Sequence, residues 1–182
     1  EDEARRYIDE AVDYAAAIGA GSVHVMAGRT DGNVAAETAY CDALAYAGAA
    51  AAAARHDMTI LIEPINLRDV ANYHLSTVEA GVATIKQVGL SNIKLMFDCY
   101  HIQIMQGDLI RRIEANLDFI GHIQIAAVPD RAEPDHGELA YKDILLALDA
   151  AGYDGFIGAE YRPAQSTEAG LGWLETAKGW QK

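Results

Sequence analysis

Five short apolar runs, separated by helical patterns, constrain the fold of this chain more than any other feature. The runs begin near residues 22, 59, 93, 122 and 156, at intervals of 37, 34, 29 and 34 residues. About 30 residues or more is the length of one strand–helix unit. Strands that alternate with helices form a parallel sheet with the helices packed outside it. The sequence therefore predicts an α/β fold with a single domain over residues 1–182.

Helical periodicity fills the intervals between the runs. Apolar residues three and four positions apart predict helices over 3–18, 34–55, 108–117, 141–151 and 167–178. Another helix begins after Ser76 or Thr77, either of which can cap it, and stops at Gly89. Glycines at positions 19 and 152 end two of the other helices, because glycine adopts the left-handed conformation that terminates a helix.

Composition and charge exclude several classes of protein. A hydrophobic content of 51% over 182 residues predicts a globular domain. The net charge of −13 argues against nucleic acid as a partner, because phosphate backbones are bound by Lys and Arg. No apolar run approaches the roughly 18 residues of a membrane span. Cys41 and Cys99 are too few for a disulfide scaffold, so we expect buried thiols in the reducing cytoplasm.

Oxygen-bearing side chains stand at the ends of four successive runs. They are Glu63, Asp98, Gln124 and Glu160. A carboxylate at the end of a buried strand is costly unless something compensates it. Each alone has a simpler interpretation, as a helix cap, an ion-pair member or a hydrogen-bonded core amide. Their recurrence at strand–helix intervals favours one shared hard cation, Mg²⁺ or Mn²⁺.

The segments around these positions resemble the hydroxypyruvate isomerase family of the xylose isomerase-like TIM barrels. The similar segments are 61–66 (LIEPIN), 97–101 (FDCYH), 122–137 (HIQIAAVPDRAEPDHG) and 158–163 (GAEYRP). The resemblance covers nearly the whole chain, and 122–137 is its most specific part. It implies a (β/α)8 TIM barrel, of which this chain carries strands 4 to 8. About three N-terminal βα units are then expected to be missing.

The resemblance also implies a reaction and a set of roles. The family interconverts hydroxypyruvate and tartronate semialdehyde by proton transfer through an enediolate, in glyoxylate and carbohydrate metabolism. By resemblance, the divalent-metal ligands are Glu63, Asp98, Gln124 and Glu160, the acid/base pair is Glu63 and Glu160, and the substrate contacts are His101 and Arg131. Gln124 stands where related sugar epimerases carry His, which favours the isomerase branch.

Alternatives remain open for single residues. His101 is either a substrate contact or a structural histidine at a helix start, and Arg131 has acidic sequence neighbours, Asp130, Glu133 and Asp135, as alternative partners. The polar loop 129–137 is a candidate lid over the site. Among the other histidines, 24 and 122 are expected in the core, and 56, 74 and 136 on the surface or in loops.

Alternatives also remain for the function. A ketose 3-epimerase-like enzyme would use the same metal and the same two carboxylates. An endonuclease-type hydrolase would need many more histidine ligands than the strand ends offer. A non-catalytic binding protein or a catalytically incomplete fragment is the alternative from another class. The partner expected for the favoured function is a small hydroxy-keto acid, and a homo-oligomer is left open.

Overall fold

A computed structural model describes residues 2–54 and 57–179, in two compact units, Glu1–Met96 and Phe97–Lys182. The elements of the first unit are α1 (Asp2–Ile18), β1 (Ser22–His24), α2 (Val34–Ala54), β2 (Thr59–Ile62), α3 (Val78–Val88) and most of β3 (Ile93–Asp98). Those of the second are α4 (Cys99–Met105), α5 (Leu109–Asn116), β4 (Ile120–Ile125), α6 (Tyr141–Ala151), β5 (Ile157–Ala159) and α7 (Gly172–Lys178), with 3-10 turns at Leu117–Phe119 and Ala169–Leu171.

The strands pair in parallel within each unit, as the alternation of strands and helices predicts. In the first unit, β1 pairs with β2 and β2 with β3, so that Ile60 lies opposite both Val23 and Ile93. In the second unit, β4 pairs with β5, and Gln124 lies opposite Gly158. All five predicted strands are present within the described residues, and the pairings β1–β2, β2–β3 and β4–β5 are parallel.

Local sequence signals set the ends of most helices. The Thr77 side chain accepts a hydrogen bond from the Ala80 N–H at 3.2 Å, so Thr77 is the cap of α3. Gly89 and Gly152 adopt φ of 74° and 83° after α3 and α6, which confirms the two predicted stops. Close packing also needs a glycine inside α3, because a Cβ at Gly81 would lie 2.6 Å from the Leu95 Cδ2 atom of β3.

Two helix predictions were wrong or incomplete. The prediction of a helix over 167–178 fails before Gly172, where a 3-10 turn replaces it. Gly170 lies within this turn and disfavours an α-helix there, because glycine is about 1 kcal/mol less favourable than alanine in a helix. Helix α4 was anticipated only as a loop or helix start, and it begins directly after Asp98 at the end of β3. Residue 55, at the end of the second predicted helix, lies outside the described residues.

We expect Thr77→Ala to lower the free energy of unfolding by about 1 kcal/mol, because the N–H of Ala80 loses its side-chain acceptor. Urea denaturation followed by circular dichroism measures the change. Thr77→Ser is the matched control, since it keeps the hydroxyl, and we expect it to retain most of the stability. Equal losses in the two variants would contradict the capping role.

Candidate active site

Asp98 is a fully buried carboxylate whose two oxygens have different surroundings. Its Oδ1 atom accepts the Tyr100 N–H at 2.8 Å and so caps α4. Its Oδ2 atom has no hydrogen-bond partner among the described residues, although the His101 Nε2 and Arg131 Nη2 atoms lie 3.7 and 3.8 Å away. Burial raises the pKa of Asp98 to about 6, against the opposing effects of the Tyr100 N–H and the Arg131 charge. Asp98 is therefore a helix cap that still has one oxygen to offer a ligand.

Arg131 links Asp98 to a second predicted site residue. Its Nη2 atom donates to the Glu160 Oε2 atom at 2.8 Å, and its guanidinium carbon lies 5.0 Å from the centre of the Tyr100 ring. Backbone hydrogen bonds hold both sides of the residue, from its N–H to the Ala127 carbonyl and from the Arg162 N–H to its own carbonyl. The alternative pairing of Arg131 with its acidic sequence neighbours is wrong, because those carboxylates have other partners.

The loop 129–137 is held by contacts of its own acidic residues. His136 lies between two of them, with Nε2 2.9 Å from Asp130 and Nδ1 2.9 Å from Asp135. These contacts raise the pKa of His136 to about 9. Glu133 accepts the Ala164 N–H at 3.0 and 3.3 Å, which ties this loop to the segment after β5. At the loop's end, Gly137 has a φ of 85°, and any Cβ there would collide with the Val128 carbonyl.

Gln124 lies on β4, the strand next to β5. Its Oε1 atom is buried and has no hydrogen-bond partner in the described part of the chain. Gly158 lies opposite Gln124, and the absence of a side chain at position 158 leaves room for the side chains of β4. A Cβ atom on residue 158 would lie 2.9 Å from the His122 Nε2 atom and 3.6 Å from the Gln124 Cγ atom. His122 is half-buried, and burial lowers its pKa. An amide oxygen in such a position is suited to a ligand that supplies positive charge.

Glu63 belongs to the first unit. It is buried and directly follows β2, with Pro64 ending the strand. The His24 Nε2 atom, at the end of the neighbouring strand β1, lies 3.7 Å from the Glu63 Oε2 atom. We expected His24 to be a core histidine, and it is only half-buried, beside a predicted catalytic carboxylate. The signal for this contact was available, since both residues stand at the ends of consecutive predicted strands.

The structure thus brings four of the six predicted site residues into one connected group in the second unit. The group is Asp98, His101, Arg131 and Glu160. The Glu160 N–H donates to the Ile125 carbonyl at 3.1 Å, which places Glu160 beside the end of the strand that carries Gln124. Tyr100 was not predicted, yet its ring contacts both Arg131 and His101, the latter at 5.2 Å between ring centres. An aromatic residue between two predicted site residues was the only signal for it.

A second polar network, in the first unit, was not predicted. Both ring nitrogens of His74 form hydrogen bonds. The Nδ1 atom lies 2.7 Å from the Thr30 hydroxyl oxygen, and the Nε2 atom lies 2.8 Å from the Glu37 Oε2 atom. Glu37 also accepts hydrogen bonds from Thr84 and Cys41. His74 lies in a loop, as one of the two expected positions, but its side chain is not on the surface, since it is only 5% exposed. His56 lies outside the described residues.

Parallel strand–helix units with acidic groups at the carboxyl ends of the strands define the class of α/β-barrel enzymes. A model of the family described as xylose isomerase-like TIM barrel matches residues 1–177, and the chain belongs to this family. This confirms the predicted fold class and the recognised family. The five described strands are part of such a barrel.

Known proteins similar to this chain include two isomerases. The 2-oxo-tetronate isomerase of Cupriavidus necator is 48% identical over 180 residues, covering 96% of this chain and 68% of that protein. The hydroxypyruvate isomerase of Escherichia coli K12 is 35% identical over 178 residues, with the same coverage of 96% and 68%. These relatives confirm the prediction of an isomerase-type enzyme. The chain spans about two thirds of the length of either relative.

A solved structure has the same fold. The crystal structure described as AP endonuclease, family 2 from Brucella melitensis superposes with a TM-score of 0.92 at 39% identity, covering 97% of this chain and 68% of that one.

In the described residues of the present chain, no helix combines the length and the apolar character that crossing a membrane requires.

We expect the stabilising effect of His136 to depend on pH. Its pKa in the folded state is about 9, above the ordinary value of 6.5, because Asp130 and Asp135 favour the protonated imidazole. The contacts with these two carboxylates therefore stabilise the fold fully at a pH below about 6.5. The stabilisation is then lost as the pH rises through about 9. The melting temperatures of the wild type and His136→Gln, compared from pH ~6 to ~10, should converge at the alkaline end. A constant difference over that range would refute the assignment.

Proposed function

We propose that this chain catalyses the metal-dependent isomerisation of a small 2-oxo or hydroxy acid, the interconversion of hydroxypyruvate and tartronate semialdehyde or of a close homologue. The observation that carries the proposal is the placement of Arg131 between the carboxylates of Asp98 and Glu160. A guanidinium there can bind a substrate carboxylate next to a group that can transfer protons. The names of the two isomerase relatives support three- and four-carbon acids as the substrate class.

We propose Mg²⁺ or Mn²⁺ as the cofactor, with the ligands Glu63, Asp98, Gln124 and Glu160. The chemistry of the residues fits a hard cation, since every donor atom is a carboxylate or amide oxygen. The buried Oδ2 of Asp98 and Oε1 of Gln124, which have no hydrogen-bond partner among the described residues, support this choice. When bound, such an ion acts as a Lewis acid that stabilises negative charge developing on the substrate oxygens.

The residues of the chain would share the proton transfers. Arg131 binds the substrate carboxylate and fixes its orientation, while His101 donates a hydrogen bond to the carbonyl oxygen. One of Glu63 and Glu160 removes the proton from the hydroxyl-bearing carbon, which gives an enediolate. A proton is then returned to the neighbouring carbon, and the proton of the original hydroxyl group moves to the former carbonyl oxygen. The carbonyl and hydroxyl groups thus exchange positions, and no atom is gained or lost. The burial of Asp98 and His101 keeps bulk water away from one side of this site.

The cellular setting is part of the same proposal. Cys41 and Cys99 are both buried free thiols, which supports the reducing cytoplasm. The excess of acidic residues supports a small-molecule substrate over nucleic acid. A sugar epimerase would act on neutral ketoses, and the guanidinium of Arg131 between two carboxylates favours an acid instead.

We expect Glu160→Gln to reduce turnover of hydroxypyruvate by about 10²–10⁴-fold, because the amide keeps the shape of the side chain but cannot take up a proton. Formation of tartronate semialdehyde with Mn²⁺ measures the rate, with the hydroxypyruvate isomerase of Escherichia coli K12 as the positive control for the assay. Glu175→Gln is the matched control, since it removes an exposed carboxylate paired with Lys178 in the same unit. Wild-type turnover in Glu160→Gln would refute the assigned role.

We expect Asp98→Asn to weaken Mn²⁺ binding by about tenfold or more, because one charged ligand oxygen is replaced by a neutral one. The asparagine oxygen can still accept the Tyr100 N–H, so α4 should keep its cap. Isothermal titration calorimetry measures the affinity, and Asp118→Asn in the turn Leu117–Phe119 is the control. Unchanged Mn²⁺ affinity in Asp98→Asn would argue against Asp98 as a ligand.

A further inference from the structure

We infer that Asp130 and His136 are positioning residues for the substrate-binding arginine: Asp130 holds the backbone turn from which the Arg131 side chain extends, and His136 orients the Asp130 carboxylate. The inference rests on the proposed function and adds two residues to the machinery that holds the substrate carboxylate. Neither of them belongs to the proposed set of metal ligands.

The first support is the backbone conformation of Arg131. Its φ of 58° lies in the left-handed region, which a residue with a Cβ atom rarely adopts. The Ala127 carbonyl accepts the Arg131 N–H at 2.9 Å, and the Ala132 carbonyl accepts the Ala127 N–H at 3.0 Å. Such a conformation persists only where its surroundings hold it. The direction of the Arg131 side chain therefore depends on the contacts that close this turn.

The second support is that the two oxygens of Asp130 connect this turn to His136. The Oδ1 atom accepts the Ala132 N–H at 3.2 Å, so the Asp130 side chain bridges over Arg131 in an Asx turn. The Oδ2 atom lies 2.9 Å from the His136 Nε2 atom, and the His136 Nδ1 atom lies 2.9 Å from the Asp135 Oδ1 atom. A continuous series of contacts thus runs from His136 through Asp130 to the backbone that follows Arg131.

The charges of this series strengthen it. The contacts with Asp130 and Asp135 raise the pKa of His136 to about 9, and the contact with His136 lowers the pKa of Asp130. At neutral pH the pair is therefore an imidazolium and a carboxylate, whose hydrogen bond is stronger than a neutral one. All three side chains are about half exposed, so solvent screens them and we expect severalfold effects on binding, not its loss.

Arg131 can bind an acid while the carboxylates beside it stay in place. Its contacts with Glu160 at 2.8 Å and with Asp98 at 3.8 Å both use the Nη2 atom. A guanidinium has five N–H donors, so the other nitrogens can serve a substrate carboxylate. If the turn opened in part of the molecules, only the rest would bind the acid. The apparent dissociation constant would then rise by the inverse of the competent fraction.

The test uses glycerate, the reduced and unreactive counterpart of hydroxypyruvate, in NMR titrations of the metal-free 182-residue chain. We expect Asp130→Ala to bind glycerate about three- to tenfold more weakly, the size expected for one lost hydrogen bond. Asp130→Asn should recover most of the affinity, because its amide oxygen can accept the Ala132 N–H. Glu175→Ala is the control, since it removes an exposed ion pair with Lys178 elsewhere in the same unit.

The role of His136 has a separate readout in the pH profile. We expect His136→Ala to weaken glycerate binding by about two- to fivefold at neutral pH, as for loss of an exposed ion pair. In the wild type, affinity should fall as the pH rises through about 9, because His136 then loses the proton that it shares with Asp130 and Asp135. Glycerate and Arg131 keep their charges over this range, so His136→Ala should show no such fall.

Each other outcome contradicts a definite part of the inference. Wild-type affinity in Asp130→Ala, or an Asp130→Asn variant as weak as Asp130→Ala, overturns the role of the turn. Equal affinity and equal pH profiles in His136→Ala and the wild type overturn the role of His136, and this variant decides the matter if Asp130→Ala does not fold.

Arg131→Gln separates these failures from failure of the proposed function. If Arg131→Gln binds glycerate as tightly as the wild type, or the wild type does not bind it, the role of Arg131 in the proposed function is wrong. If Arg131→Gln loses binding while the Asp130 and His136 variants keep it, only the positioning inference is wrong.

Discussion

The buried carboxylate of Asp98 is the constraint on which the candidate site depends. A carboxylate without water is unfavourable, and burial raises the pKa of Asp98 to about 6 even with the Tyr100 N–H and the Arg131 charge opposing it. One oxygen is used to start α4, which brings His101 to within 3.7 Å of the other oxygen. A single side chain therefore ends a strand, begins a helix and presents a partly compensated negative charge.

Arg131 adds the opposite charge, and the loop around it explains why that charge stays at the site. The acidic neighbours of Arg131 in sequence are engaged elsewhere, with Asp130 on His136 and Glu133 on the Ala164 N–H. The guanidinium is consequently left to Glu160 and Asp98, over the Tyr100 ring. One cation between two carboxylates is the arrangement on which the proposed binding of a substrate carboxylate rests.

Much of the framework could be predicted because its signals are local. Apolar runs placed the five strands, and glycines at 89 and 152 placed two helix ends, because backbone conformation at these positions depends on adjacent residues. The helix α4 was missed as a separate element, since its start depends on one buried capping side chain. The alternative partners assumed for Arg131 were wrong because nearness in sequence is a poor guide to contacts between loops.

The sequence by itself determined the alternation of strands and helices, the family, and the presence of an oxygen-bearing side chain after each of four strands. The alternation and the strand-end positions follow from residue order and periodicity, which act over a few neighbouring positions. The family was predicted from the resemblance of whole segments to known proteins. Only the tertiary structure decided that Arg131 pairs with Glu160, 29 residues further along the chain, and that the Gln124 oxygen is buried opposite Gly158. Such pairings depend on how separate strands and loops pack, and no short stretch of sequence encodes that packing.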